Sequence, residues 1–551
     1  TLPPTETPRK LLQVLLASRN LAQHRQQPVG ILATAAGQQR GVWKGSELRG
    51  GITGNPRFRR GVPKLVGSQP HLVYKGPSRN HDDSIRPLFQ KSTAMNYTQQ
   101  YSRGLLVLLA LLLPRPLFPG EPDWKAGLAS ATITPEKPVL MAGYASRTKP
   151  FEKVEGDLYA KALALEDAQG RRAVLVTTDL IGLSAAVAEP ICQRINERSG
   201  LKREQILLSW AHNHAGPSLS LKATPGSSGS AEDAENTVAY TRNLQDQLVA
   251  LVGQALARLE PARLSWGSGV ANFVMNRREF TPTGVILGVN PKGPADRSVP
   301  VLRVDAADGR PRAVLFGCAC HNTTLTHTNY AVCGDYAGYA QEHIQQRYPA
   351  VQALFMMGCG GDANPYPRGT LQQARQHGTE LGLEVCRVME TKLRPVSGPL
   401  ALAYDFASLP LQSPGRAELE KIAATGPSWQ TGNARQMLSL LERGEKLPAD
   451  FRCPVAVWQF GNDLTLVALS GEVVVDYVPL LERALGPLQL WLAAYCHESF
   501  GYLPSARVLA EGGYENRGLG SGQGWFAPAA QDVLVEKVRQ MAKQAGRKVP
   551  D

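Results

Sequence analysis

Three histidines directly follow strand-like segments of the sequence. His212 and His214 come after the apolar run 205–210, and His321 comes just after the strand-like run 313–319. In an extended backbone, residues two apart point to the same side, so a His-x-His pair presents both rings together. Neutral imidazole is a usual nitrogen ligand of Zn²⁺. The pattern favours two histidines that bind one metal ion, or one histidine that binds the metal while the other acts as its proton-transfer partner. A pair of hydrogen-bonded core histidines is the less favoured interpretation.

Two further strand ends carry groups that could join such a site. The apolar run 353–357 leads into the glycine-rich loop 358–365, whose glycines allow the backbone to approach a ligand closely. A plain tight turn would have the same composition. Glu472 follows the apolar run 464–469 at the start of a predicted helix. Its carboxylate is either a metal ligand or a group that caps the helix.

The elements that must position these groups alternate between strand-like and helix-like runs. Examples are the buried strand 205–210, the amphipathic helix 236–259 and the helix 371–389. This alternation predicts an α/β fold, a layered domain with a mixed β-sheet and helices on both faces. Ligands in such folds bind beyond the carboxyl ends of the strands, so we expect the metal site there.

The charge of the chain is concentrated at its start. Residues 1–122 contain 17 Lys and Arg against 5 Asp and Glu, whereas the other 429 residues contain 43 against 42. The body is therefore nearly neutral and has no basic stripe, so we expect no nucleic-acid partner. With 43% hydrophobic and 19% charged residues, the chain is also no coiled coil, collagen or wholly disordered protein.

The first 122 residues differ from the rest. Residues 1–94 show no sustained periodicity, which predicts a disordered or artefactual upstream extension. Residues 95–122 have the pattern of a signal peptide, because Arg103 precedes nine apolar residues, 105–113. That run is too short for a transmembrane anchor, which needs about 20 residues. We expect the domain 123–551 to be exported, to the periplasm or outside the cell; a basic extension before a buried apolar helix is the alternative.

Several short blocks follow one another along the body in a distinctive order. The blocks lie at 124–127, 131–135, 141–144, 177–180, 212–217, 276–278, 321–324, 334–340, 471–472, 500–504 and 513–515. In types and order they resemble the catalytic domain of the neutral/alkaline non-lysosomal ceramidases, over residues 124–520. Block 212–217, for example, is similar to that family's H-T-H-S-G-P.

The resemblance implies a Zn²⁺ site and a reaction. The metal ligands would be His212, His321, Glu472 and Tyr502, while His214, Arg277 and Tyr514 would face the substrate carbonyl. The implied function is zinc-dependent hydrolysis of an N-acyl (carboxylic amide) bond by attack of metal-bound water. The substrate would be a small-molecule or lipid amide. Arg277 and Tyr502 would stabilise the oxyanion, and His214 would carry the proton.

Two features depart from the family pattern. Asn364 stands where the family has a serine that has been proposed as nucleophile. An amide cannot act as an alkoxide nucleophile, but it can donate a hydrogen bond to an oxyanion, so Asn364 stays a candidate catalytic residue. The sequence runs 37 residues past Tyr514. We therefore expect a distant member without the family's C-terminal β-sandwich domain, which puts ceramide itself in question as substrate.

Two alternatives to this function remain open. One is a non-catalytic exported binding protein that keeps the fold, and the other is a metal-dependent hydrolase of another amide, an ester or a lactone. A hydrolase should hold about one zinc ion per chain, whereas a binding protein need hold none. The sequence does not indicate which oligomeric state the protein adopts.

Overall fold

A computed structural model describes residues 122–223, 229–412, 414–426, 428–519 and 523–550. All of them fall within one compact unit of the chain. The predicted extension 1–94 lies outside the described residues, as does the signal-like segment 95–122 except for its last residue. Among the described residues, no helix combines the length and the apolar character needed to cross a membrane.

The described residues form 21 strands and nine α-helices. The strands are β1 (Trp124–Thr132), β2 (Lys153–Val154), β3 (Tyr159–Asp167), β4 (Arg172–Thr178), β5 (Ile206–Trp210), β6 (Glu260–Val270), β7 (Val274–Thr281), β8 (Gly284–Asn290), β9 (Ser298–Ala306), β10 (Pro311–Cys318), β11 (Ala331–Val332), β12 (Gln352–Met357), β13 (Ala363–Pro365), β14 (Arg394–Val396), β15 (Leu400–Gln412), β16 (Asp450–Phe460), β17 (Leu464–Leu469), β18 (Glu472–Val473), β19 (Leu490–Ala493), β20 (Tyr502–Leu503) and β21 (Trp525–Phe526). The helices are α1 (Ala185–Ser199), α2 (Ala231–Ala257), α3 (Asp335–Arg347), α4 (Leu371–Met389), α5 (Arg416–Thr425), α6 (Ser428–Glu442), α7 (Tyr477–Leu485), α8 (Ala506–Glu511) and α9 (Ala530–Gln544).

The largest sheet has nine strands and mixed pairing. Its order is β12-β10-β9-β6-β1-β3-β4-β5, with β14 added beside β6. The outermost pairs, β4 with β5 and β10 with β12, are parallel, whereas the pairs between them are antiparallel. Strand β5 is buried along its whole length, as its continuous apolar run predicts. The α/β class with a large mixed sheet is confirmed.

A second sheet, β19-β17-β16-β15-β21, packs against one face of the first. Large side chains such as Leu175, Leu264, Trp458 and Trp491 fill the layer between the two sheets. Helices α1 to α4 cover the other face of the first sheet, and α7 and α9 cover the outer face of the second. Helices thus lie on both outer faces of the domain, with two sheets between them rather than one.

The segment that follows β19 closes the gap between the edge strands of the first sheet. The N–H of Ala494 donates to the carbonyl of Met357 at the end of β12, at 2.9 Å. The N–H of His497 donates to the carbonyl of Leu208 in β5, also at 2.9 Å. Because this segment joins β5 to β12, the loops beyond β5, β10 and β12 meet at one place. That place contains the candidate site.

Candidate metal centre

The histidines of the His-x-His pair converge through an irregular backbone, not through an extended strand. Strand β5 ends at Trp210, and His212 has a φ of +54°, in the left-handed region. The extended geometry expected from the spacing is therefore wrong, although both rings do meet. The segment after β5 instead pairs with the segment after β10, in a parallel bridge between Asn213 and Asn322. This bridge places His212 and His214 beside His321.

Glu472 and Tyr502 reach the histidines from a separate pair of short strands. Strands β18 and β20 run parallel, with Glu472 directly opposite Tyr502. The carbonyl of Val473 accepts a hydrogen bond from the N–H of Gly361 at 2.8 Å, which ties this pair to the glycine-rich loop. A Cβ on Gly361 would lie 2.7 Å from the carbonyl oxygen of Glu472, so only glycine allows this approach.

Four side chains bring nitrogen and oxygen atoms to one point. The Nε2 atoms of His212 and His321 lie 3.1 Å and 3.0 Å from Oε2 of Glu472. His214 Nε2 lies 3.1 Å from His212 Nε2. Ligand atoms of the three histidines all lie within 4.8 Å of one another, so this group could hold a metal ion. Ligands at about 2.0–2.1 Å around a tetrahedral Zn²⁺ are separated by roughly 3.3 Å, close to the contacts observed.

The outer nitrogens of two rings fix which nitrogen is free to bind a metal. Nδ1 of His212 lies 2.8 Å from the carbonyl of Ile181, and Nδ1 of His321 lies 2.8 Å from the carbonyl of Gly360. Each Nδ1 must carry a proton to donate there, so each neutral ring directs an Nε2 lone pair toward Glu472. Lone pairs at 3.0–3.1 Å repel unless a cation lies between them. The donor set therefore fits a metal ion.

The electrostatic environment favours the neutral form of His214 and His321 and the ionised form of Glu472. Burial lowers the pKa of His321 to about 3, and the nearby Arg277 guanidinium adds to this shift. Burial and the neighbouring His212 lower the pKa of His214 well below its usual value. Burial alone would raise the pKa of Glu472, but its contacts with His212 and His321 lower it well below the usual range. Neutral imidazoles beside an ionised carboxylate are competent metal ligands.

Arg277 connects the metal-ligand cluster to a buried ion network. Its Nη2 donates to Oη of Tyr502 at 2.9 Å, and its Nε donates to Oε1 of Glu515 at 2.9 Å. Tyr502 Oη in turn lies 3.4 Å from His321 Nε2. Tyr514 packs edge-on against Tyr502, with ring centroids 5.6 Å apart. The resemblance had assigned roles to His321, Arg277, Tyr502 and Tyr514 but not to Glu515, and in the structure all five side chains lie together.

Asn364 lies in the same wall, with its amide oriented by two donors. Its Oδ1 accepts hydrogen bonds from Thr323 Oγ1 at 3.2 Å and from Arg277 Nη1 at 3.4 Å. Because both neighbours are donors, the atom that faces Thr323 and Arg277 is the amide oxygen, and the NH₂ group lies on the other side of the amide. The NH₂ group of Asn364 makes no hydrogen bond to any described residue, while the side chain lines the cavity beside the cluster. It is free to donate to a ligand there.

The cavity has a volume of about 230 Å³. Its polar wall consists of the site residues His214, His321, Arg277, Asn364, Tyr502 and Tyr514 together with Tyr144, Thr323 and Arg368. Its apolar wall includes Met275, Leu287 and Val289 of the β7–β8 hairpin. Leu287 and Val289 are also exposed at the surface, as is Phe280 on the same hairpin. An amphipathic ligand suits such a cavity.

Sequence reasoning assigned no role to two tyrosines that contact the cluster. Tyr144 packs edge-on against His214 with ring centroids 4.9 Å apart, and Tyr495 packs against His212 at 4.7 Å. The hydroxyl of Tyr495 is buried without a hydrogen-bond partner. Tyr495 follows strand β19 closely, so the search for chemical groups at strand ends could have found it. Tyr144 belongs to one of the recognised blocks.

Glu515 is expected to be the main stabilising partner of Arg277. Its carboxylate is 1% exposed and also accepts from Arg278 at 2.6 Å. Glu515→Gln would leave two buried guanidinium groups short of an acceptor, which should lower the free energy of unfolding by about 3–5 kcal/mol. Urea denaturation checks this.

Glu511→Gln is the matched control for that change. Glu511 contacts Arg278 at 3.0 Å but is 22% exposed, so its loss should cost about 1 kcal/mol or less. Equal effects of the two substitutions would contradict the assignment of Glu515 as the anchor of Arg277.

The sequence and the fold both have known counterparts. The family profile described as neutral/alkaline non-lysosomal ceramidase, N-terminal, matches residues 124–401. The chain is 29% identical to a neutral ceramidase of Pseudomonas aeruginosa over 272 residues, 47% of this chain and 40% of that protein. It is 26% identical to neutral ceramidase A of Dictyostelium discoideum over 277 residues, 45% of this chain and 37% of that protein.

The matched region thus spans about two fifths of the length of these curated relatives. The crystal structure of the neutral ceramidase from Pseudomonas aeruginosa superposes with a TM-score of 0.60 at 20% identity. That superposition covers 78% of this chain and 77% of the other. At this identity the superposition establishes a shared fold.

Proposed function

We propose that this chain, which belongs to the neutral/alkaline non-lysosomal ceramidase family, is a metal-dependent hydrolase of N-acyl amide bonds. One observation carries the proposal: the lone pairs of His212, His321 and Glu472 converge beside an arginine and an amide that can donate to an oxyanion. The signal-like segment 95–122 further supports the proposal that the enzyme is exported.

We assign the metal as Zn²⁺, with His212, His321, Glu472 and Tyr502 as the residues that would hold it. Imidazole, carboxylate and phenol oxygen are ligands that suit Zn²⁺. When bound, Zn²⁺ acts as a Lewis acid on a carbonyl and lowers the pKa of water. His212 and His321 each have the backbone partner at Nδ1 that metal-ligating histidines usually have.

His214 differs from the other two histidines in a way that suits proton transfer. Its Nδ1 is buried without a hydrogen-bond partner, so no second group holds this ring in one tautomer. Burial keeps the ring neutral, as its lowered pKa indicates. In this proposal the neutral ring accepts a proton from the attacking water, and its lowered pKa favours delivery of that proton to the leaving amine.

Arg277 and Asn364 are the groups that would stabilise negative charge on the carbonyl oxygen. Arg277 is held by Glu515, and the Asn364 amide is held by Thr323, so both donors are oriented before substrate binds. Donors fixed in advance in a site with little water stabilise developing charge strongly. Tyr502, which accepts from Arg277, links this pair of donors to the metal ligands.

Direct attack by water, without an acyl-enzyme, follows from the residue at position 364. The side chain of Asn364 has no ionisable nucleophile, so it cannot form the ester that a serine would form. The acyl part of the substrate would lie against the apolar side chains Met275, Leu287 and Val289. The relatives are named ceramidases, and we extend only their reaction, hydrolysis of a lipid amide, to this chain.

Metal analysis combined with an amide screen tests the proposal. The purified protein should contain about one zinc ion per chain and should release fatty acid from N-acyl amides of different head groups. Removal of the metal with a chelator should abolish release, and added Zn²⁺ should restore it. A protein that contains no metal and binds none would favour the non-catalytic binding protein instead. A metal-loaded protein that cleaves esters but no amide would favour the other alternative.

A further inference from the structure

Arg368 is a second guanidinium in the wall of the cavity, beyond the glycine-rich loop. Its Nη2 donates to Oη of Tyr144 at 2.9 Å, and Tyr144 Oη donates to the carbonyl of Leu325 at 2.9 Å. The ring of Tyr144 packs against His214, so one tyrosine separates Arg368 from the metal-ligand cluster. The Nε of Arg368 is buried and has no hydrogen-bond partner. Tyr144 therefore holds one nitrogen of the Arg368 guanidinium in place, whereas the Nε donor has no hydrogen-bond partner.

The charge of Arg368 has no ion-pair partner in the described part of the chain. Whereas Arg277 is paired with Glu515, no carboxylate lies within 4.0 Å of Arg368. Asp335 is close enough to interact electrostatically. However, its two carboxylate oxygens accept the backbone N–H groups of Leu325 and Tyr336. Among the described residues that line the cavity, none is acidic.

Arg368 is half-buried and its Nε is buried without a hydrogen-bond partner, so a ligand that brings an acceptor of opposite charge would stabilise it. Arginine is also the side chain best suited to hold a carboxylate or a similar oxyanion with two hydrogen bonds. The apolar wall comes from the β7–β8 hairpin, whereas Arg368 and Tyr144 come from other segments. The cavity therefore offers separate surfaces to an acyl chain and to an anionic group.

We propose that the substrate is an N-acyl amide whose amine part bears an anionic group, and that Arg368, held in position by Tyr144, selects this group. This inference rests on the proposed amide hydrolysis for the reaction, but binding of the anion does not depend on turnover. It assigns Arg368 as a specificity-determining residue. A neutral lipid amide would leave its guanidinium without a counter-charge.

The test compares two probes that share the octanoyl chain and the amide but end in a charged and an uncharged group. N-octanoylglycine bears a carboxylate, and N-octanoylethanolamine bears a hydroxyl at the same position. Equilibrium binding by calorimetry should show a preference for N-octanoylglycine of about 10- to 100-fold, the range for hydrogen bonds to a charged group. Arg368→Gln should reduce that preference by a similar factor. Arg368→Lys, which keeps the charge but loses the bidentate geometry, should retain part of it.

Controls separate this proposal from the proposed function. Arg375→Gln changes an exposed arginine on α4 that is paired with Glu155, and it should leave the preference unchanged. If the preference survives in Arg368→Gln, the carboxylate binds elsewhere, for example at the metal, and the inference is wrong. The inference is also overturned if the wild type prefers the ethanolamine probe. If the preference depends on Arg368 but neither probe is hydrolysed, selection of the anionic group by Arg368 holds and the amide-hydrolase proposal fails.

Discussion

Replacing His321 with alanine is expected to remove the bound metal and to abolish amide hydrolysis. Its Nε2 lies 3.0 Å from Glu472 Oε2, and its ring is almost completely buried, so its removal would leave one ligand position of the proposed centre empty. Loss of an outer hydrogen-bond partner already lowers metal affinity 10- to 100-fold, so loss of a ligand should cost at least about 10²-fold. Elemental analysis after dialysis, with turnover measured on the same sample, checks this.

The control for this change is a histidine outside the cluster. His343 lies on α3 and is not among the histidines that could hold the metal. His343→Ala should keep full metal content and turnover. The His321→Ala protein should still fold cooperatively, because the backbone bond from the N–H of residue 321 to the carbonyl of Ala363 does not need the ring. Full metal content and unchanged turnover in His321→Ala would refute the assigned centre.

Asn364→Ala is expected to lower the rate of amide hydrolysis by about 10²–10³ without changing metal content. This is the range for losing one donor to an oxyanion, and the free NH₂ group of Asn364 is the donor assigned here. Thr323→Val gives a graded comparison, because it removes one of the two contacts to Asn364 Oδ1 but leaves the amide in place. Its effect should be smaller, about 10-fold or less.

Asn364→Ser decides between the two chemistries available at this position. If water attacks directly, a serine hydroxyl can still donate to the oxyanion, and turnover should persist without an acyl-enzyme. If a serine nucleophile is indispensable, the wild type should be inactive on every amide although it holds zinc. Asn364→Ser should then start turnover and accumulate an acyl-enzyme. Rescue of an inactive, zinc-loaded wild type by this one change would overturn the proposed mechanism.

The proposals differ in how far each depends on the family. The metal ligands suggested by the resemblance agree with independent geometry, since Nδ1 contacts fix the rings of His212 and His321. The anionic substrate group depends instead on Arg368, for which no family motif was used. A failure at Arg368 would therefore leave the metal centre intact, whereas a failure at His321 would remove the basis for the reaction but not for the binding of an anion at Arg368.

Part of the site was predictable because it depends on local sequence. Continuous apolar runs predicted strands β5, β10, β12 and β17, and their ends pointed to the three histidines and the glycine-rich loop. Such runs are buried wherever they lie in the fold, so their meaning does not depend on distant residues. Spacing alone did not distinguish whether Glu472 is a metal ligand or a group that caps a helix. Its role, like that of Tyr502, was suggested only by the resemblance.

The tertiary structure decided how these groups meet. His212 reaches the cluster through a left-handed backbone and a bridge between Asn213 and Asn322, contacts between segments more than 100 residues apart. Glu472 and Tyr502 are neighbours because two short strands pair in one register. Long-range register follows from how both sheets pack, and no single segment encodes it.

The sequence by itself determined the histidines of the candidate metal site, the apolar strands before them and the family that the order of the blocks resembles. Only the tertiary structure decided that a second sheet lies between the helical layers, that the Asn364 amide directs its donors into the cavity, and that Arg368 lacks an ion-pair partner. The physical reason is that hydrophobic periodicity is read within one element. Hydrogen-bond partners and counter-charges, in contrast, come from residues far apart in the chain, and only the packed fold brings them within a few ångströms.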